Sequence, residues 1–86
     1  MPIVNLFYGI AIIMFFNDHA PPHFHVSYAE FKAKYEIAPL RKVYGNLPSS
    51  TERLVLRWAV LYQAELLRSW EECRSGAIPS KIPGLR

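Results

Sequence analysis

The chain has 86 residues and a mass of 9.9 kDa; 51% of its residues are hydrophobic, 14% aromatic and 20% charged, with a formal charge of +3 and an isoelectric point near 9.2. So apolar a chain is not disordered, and its length fits a single domain, residues 1–86, excluding a nucleotide-binding βαβαβ half joined to a substrate domain. Cys73 is the one cysteine, which excludes an intramolecular disulfide and a paired-thiolate zinc site; nothing argues for an oxidising compartment, and the cytoplasm is the expected location.

Met1 to Asn17 carries no charged side chain, and its apolar centre runs from Ile10 to Phe16. Pro2, Asn5 and Gly9 interrupt it, it falls short of the roughly 20 apolar residues of a membrane helix, and it lacks a basic start and a small-residue cleavage site. No membrane association is expected. Its β-branched and aromatic content predicts two strands instead, Ile3–Tyr8 and Ile10–Phe16. Asn17 to Pro22 reads as a turn, because Asn and Asp bond their own backbone and the two prolines lack donors.

From His23 the chain re-extends. His23–Tyr28 alternates with Phe24, Val26 and Tyr28 on one face and His23, His25 and Ser27 on the other; Phe31–Ile37 sets Phe31, Ala33, Tyr35 and Ile37 against Lys32, Lys34 and Glu36. Only Ala29 and Glu30 separate the runs, so a two-residue hairpin would pair His23 with Glu36, His25 with Lys34 and Ser27 with Lys32. Ala-Glu is a poor occupant of such a turn, and a bulge there would slide these pairs by one residue. Residues 38–48, with Pro39, Gly45, Asn46 and Pro48, read as a connector.

One helix over about residues 50–74 follows, since Ser49 and Glu52 have capping-box spacing and the run to Arg74 has no Gly or Pro. Val55, Trp58, Ala59, Tyr62, Leu66, Trp70 and Cys73 share its core face. Leu56, Val60 and Leu67 form a narrower stripe on the far side, an expected interface with a partner or a second copy. Glu65 stands at the edge of the apolar arc and is expected to be capped by a backbone, Arg or Lys donor. The tail, residues 75–86, is punctuated by prolines and extended, with Ile78, Ile82 and Leu85 available to dock. The resulting expectation is an α+β domain: a meander of about four antiparallel strands over residues 3–37, packed on one long C-terminal helix.

All three histidines fall in Asp18-His19-Ala20-Pro21-Pro22-His23-Phe24-His25. Imidazole exchanges protons near neutral pH and ligates metals, and His23 and His25 at i, i+2 on a strand project from one face. One reading is therefore a divalent transition-metal site built from Asp18, His19, His23 and His25, with Glu36 as the alternative carboxylate. Another is metal-independent acid–base chemistry on RNA, with His23 oriented by Glu36, His25 as the second acid–base group, Lys34 on the phosphate, and Asp18, His19 and Lys32 binding. A third is structural, with the imidazoles bonding carbonyls that the prolines leave unpaired. Whether the protein is an enzyme stays open at this stage.

The opening Met-Pro, the run Met14-Phe15-Phe16-Asn17-Asp18-His19-Ala20-Pro21-Pro22-His23-Phe24-His25-Val26-Ser27-Tyr28, the Gly45-Asn46-Leu47-Pro48 stretch, and Trp58, Glu65, Leu66 and Trp70 resemble a family of small bacterial proteins described as a domain of unknown function. The resemblance spans nearly the whole chain. It implies a component of a two-gene, toxin–antitoxin-type module and establishes no activity; taken with the histidine cluster, the leading expectation is a protein that binds a small protein partner or itself and binds or cleaves RNA through the histidines. The alternatives are a non-catalytic interaction module with structural histidines and a small metal-binding protein. The polar positions carried over are Asp18, His19, His23, His25 and Glu65, with Trp70. Relatives tend to have glycine where this chain has Ala29-Glu30, and a tighter Pro-Leu ending than Ile82-Pro83-Gly84-Leu85.

Overall fold

The computed structural model describes residues 3–16 and 18–84. The α+β class holds, with five strands in place of about four: β1 (Ile3–Phe7), β2 (Ile10–Ile13), β3 (His23–Tyr28), β4 (Phe31–Ile37) and β5 (Leu40–Asn46) form one antiparallel meander in chain order. Tyr8, expected to end the first strand, instead forms the first hairpin turn with Gly9, both at positive φ (51° and 75°). Such a turn matches the twist of the strands it joins. β2 stops at Ile13, its last pair being Ile13 with His25, three residues before the expected end.

The β3–β4 register is the one the alternation predicts, with His23 opposite Glu36, His25 opposite Lys34 and Ser27 opposite Lys32. The tip stays two residues long because Ala29 adopts a φ of 51°, a left-handed conformation that costs a non-glycine residue about 1–2 kcal/mol.

Residues 38–48 are mostly strand, which corrects the connector reading. Pro39 does not break β5; it sits in the two-residue turn between the paired Ile37 and Leu40. A bulge then sets Tyr35 opposite Lys42 and Lys34 opposite Tyr44, so the period-two signal is lost at Val43. Gly45, at φ 91°, lies against β4 so closely that a Cβ there would stand 2.2 Å from the Lys32 carbonyl oxygen. In this strand, glycine marks the close approach of two backbones.

The single long helix is likewise corrected to two, α1 (Ser49–Leu61) and α2 (Gln63–Arg74), separated at Tyr62 (φ −112°, ψ 29°). The break coincides with a tertiary contact: the Gln63 side-chain amide donates to the Ile37 carbonyl at the end of β4, 2.7 Å away. It also gives Glu65 a place in the first turn of α2, where a carboxylate faces the positive end of the helix dipole. The capping box is absent: Pro48 is the N-cap with no side-chain bond. Glu52 instead accepts from the Tyr35 hydroxyl at 2.6 Å and pairs with Lys42 at 3.4 Å, tying α1 to β4 and β5. Burial and this carboxylate together push the Tyr35 phenol far up.

One face of the sheet, with Val4, Phe7, Ile10, Ile12, Met14, Phe24, Val26, Tyr35 and Ile37, packs on Val55, Trp58, Ala59, Leu66, Trp70 and Cys73 of the helices. Of the expected outer stripe, Leu56 and Leu67 are half-buried against this core, and Val60 alone is strongly exposed at 69%. The tail is pinned beside β1: Ile82 N–H donates to the Val4 carbonyl at 3.2 Å, and the Pro83 carbonyl accepts from Trp58 Nε1–H at 2.7 Å. Ile82 is buried, Ile78 is 85% exposed and undocked, and Leu85 lies outside the described residues. No described helix is long and apolar enough to cross a membrane.

Candidate metal centre

Asp18, on the loop after β2, and His23 and His25, at the start of β3, offer ligand atoms that all lie within 4.8 Å of one another. His23 Nε2 is 2.7 Å from Asp18 Oδ2, and His25 Nε2 is 3.7 Å from the same oxygen. The other nitrogen of His23 settles its tautomer. Nδ1 lies 2.9 Å from the Pro21 carbonyl, and a carbonyl oxygen only accepts, so Nδ1 carries a proton and donates it. Nε2 then faces a carboxylate, and two lone pairs at 2.7 Å repel. The contact therefore needs one proton, or a metal ion, shared between the two groups.

Alternation places His23 with His25 on the side of the sheet away from the core, yet His23 is only 3% exposed. The Trp70 ring of α2 lies 4.8 Å from its imidazole, and Pro21 and Asp18 close on both ring nitrogens. Two further residues complete the site: Pro21 through its carbonyl, in the kind of bond the structural reading of the histidines expects, and Trp70 through its ring, a position the family resemblance carries over.

The remaining candidates take different places. His19 is exposed and contributes its backbone N–H to Asp18 Oδ1 at 2.9 Å, with its ring outside the triad. Glu36 does not orient His23; it accepts two hydrogen bonds from its cross-strand partner Arg41, at 3.0 and 3.2 Å, and these hold its carboxyl below the usual range. The carboxylate on His23 is Asp18. Lys34 lies opposite His25 with its ammonium 5.8 Å from the Tyr44 ring, and Lys32 lies opposite Ser27. Asp18, His19, Pro21, His23, Lys34 and Glu36 line a cleft of about 300 Å³.

Residues 9–71 match a family described as a domain of unknown function, DUF4160. The chain belongs to this family. Neither a curated protein nor a solved structure matches the chain. In this DUF4160 domain the matched stretch contains the whole triad, together with Glu65 and Trp70.

Charge in the cluster is mutually arranged. Burial alone would raise the Asp18 carboxyl, but the His19 N–H, the His23 hydrogen bond and the nearby imidazoles outweigh it and bring it below the usual value. Burial, with the charges of His23 and Lys34, lowers His25 against the opposing pull of Asp18. Both shifts act on stability in one direction. Between the depressed value of His25 and the ordinary imidazole value of about 6.5 the unfolded chain binds more protons, so stability falls as pH drops through that window; Asp18 extends the loss below the carboxylate range. Urea midpoints of the metal-free protein should therefore fall from pH 7 to pH 5 by more in the native DUF4160 domain than in His25→Gln. Equal pH slopes in the two proteins would contradict this assignment.

Proposed function

We propose that the domain binds a divalent transition-metal ion through Asp18, His23 and His25. The single observation carrying this is the convergence of Asp18, His23 and His25, whose ligand atoms all lie within 4.8 Å of one another; the bond from His23 Nδ1–H to the Pro21 carbonyl is the kind of contact that orients a metal-binding imidazole and turns its Nε2 toward the ion. Two imidazoles and one carboxylate leave coordination positions open, a donor set suited to zinc, iron(II), cobalt or manganese. Ligands about 2.1 Å from one ion stand roughly 3.0–3.4 Å apart, so the 2.7 Å contact between His23 and Asp18 opens by a few tenths of an ångström on binding. The ion replaces the proton in that contact, and uptake releases it. Untagged protein, stripped with chelator and titrated with zinc, should take up one equivalent, release protons and melt at higher temperature. No uptake and an unchanged melting temperature would refute the reading.

A second reading, a toxin–antitoxin-type component that docks a small protein partner or a second copy, is favoured by the outer surface of α1. Val60 and Leu61 are 69% and 64% exposed there, and Val60 shares an open groove with Arg53, Leu56 and Arg57. Val60→Glu should then lower the mass seen by sedimentation; a wild-type monomer that captures no second small protein in its own cell extract would remove this reading.

A further inference from the structure

The face of the sheet away from the helices carries a row of four paired positions, Ile13 (β2), His25 (β3), Lys34 (β4) and Tyr44 (β5). Beside it runs a second row, Ala11, Ser27, Lys32 and Asn46. Phe15 follows β2 and meets the His25 ring edge-on at 4.7 Å. Phe15, Tyr44, Ile13, His25, Ser27 and Lys32 share one cleft of about 230 Å³. Phe15 and Tyr44 remain 36% and 55% exposed.

Two properties of this face point to the same ligand. Its aromatic rings are partly exposed, Phe15 beside His25 and Tyr44 beneath the Lys34 ammonium, where a sheet would otherwise carry solvated polar groups, and flat rings at a sheet surface are stacking platforms for bases. Its charge is positive. Among the described residues, neither Lys32 nor Lys34 enters an ion pair, while the neighbouring carboxylates are engaged, Glu36 by Arg41 and Asp18 by His23 and His25. The cleft is smaller than the roughly 300–1,000 Å³ of pockets that enclose a drug-sized ligand, which suits one planar base entering from a chain that continues across the surface.

We propose that this face binds a single-stranded polynucleotide, with a base in the cleft between Phe15 and Tyr44 and the adjoining phosphates on Lys32 and Lys34. The inference goes beyond the metal reading and is separable from it, since none of these four residues is a ligand in that reading. His25 stands at the boundary of the two sites, so a bound strand passes beside the triad.

The test is fluorescence anisotropy with labelled oligouridine and oligodeoxythymidine of about 12 nucleotides, in excess chelator and again with zinc. Wild-type protein should bind both strands in chelator, and weaken as salt rises from about 50 to about 200 mM. Phe15→Ala and Tyr44→Ala, each checked for an unchanged fold by circular dichroism, should each weaken binding roughly 5- to 100-fold. Lys32→Gln with Lys34→Gln should lower the salt slope by about 1.4, near 0.7 for each phosphate that no longer meets a lysine. Absence of binding at low salt would overturn the proposal. So would equal affinity for a blunt duplex, or for uridine monophosphate, or full affinity in both folded aromatic variants. Binding in chelator by a protein that takes up no zinc would leave this proposal standing and refute the metal reading alone.

Discussion

Trp58→Ala is expected to unfold the domain or leave it marginally folded at room temperature. Trp58 is fully buried, its ring lying 5.5 Å from Phe7, 6.2 Å from Phe24 and 6.2 Å from Tyr62, so it joins α1 to β1, β3 and the helix break. Removing a buried tryptophan side chain costs about 3–5 kcal/mol in lost transfer energy and cavity. A second loss adds to this, because Trp58 Nε1–H holds the Pro83 carbonyl and with it the tail beside β1. At roughly 0.05–0.15 kcal/mol per residue, a chain of this length has about 4–13 kcal/mol of stability in all. Trp58→Phe keeps most of the ring and loses the tail bond, and should cost about half as much. Urea unfolding followed by circular dichroism measures both; a Trp58→Ala protein within about 1 kcal/mol of wild type would mean that the helix–sheet packing is misassigned.

The second large effect concerns the triad. Asp18→Asn, His23→Ala and His25→Ala should each lower zinc affinity at least a hundredfold, beyond the roughly 10–100-fold typical of residues that only orient a ligand. The three variants differ in their cost to the fold. His25 is half-buried, and its loss leaves the scaffold intact. His23 is buried between Trp70, Pro21 and Asp18, so its removal strands a carboxylate and a carbonyl and also lowers stability. His19→Ala, Lys34→Gln and Glu36→Gln lie outside the ligand set and should stay within a few-fold of wild type. Isothermal titration against zinc separates the groups. Loss of binding in His19→Ala with retention in His25→Ala would assign the wrong imidazoles.

The central hairpin was legible in the sequence because its signals are local. Strict alternation over His23–Tyr28 and Phe31–Ile37 with two residues between them leaves one register that buries Phe24, Val26, Ala33 and Tyr35 together. β5 was hidden because its bulge at Val43 removes the alternation and its Pro39 and Gly45 serve a turn and a backbone contact. The break at Tyr62 has no Gly or Pro to announce it; beside it Gln63 reaches a carbonyl of β4 across the fold, a contact no local sequence pattern encodes. The candidate site divides in the same way. Clustering of Asp18, His23 and His25 could be read from their spacing, whereas the exclusion of His19, the capture of Glu36 by Arg41 and the burial of His23 under Trp70 are set by which elements meet in space.

X-ray absorption spectroscopy at the zinc edge, on untagged protein carrying one equivalent of zinc, tests the metal assignment most directly. Zinc held by Asp18, His23 and His25 should show a first shell of nitrogen and oxygen at about 2.0–2.1 Å, with outer scattering from two imidazoles that drops to one in His25→Ala. A shell of oxygen alone, or one containing the buried Cys73 sulfur, would contradict it.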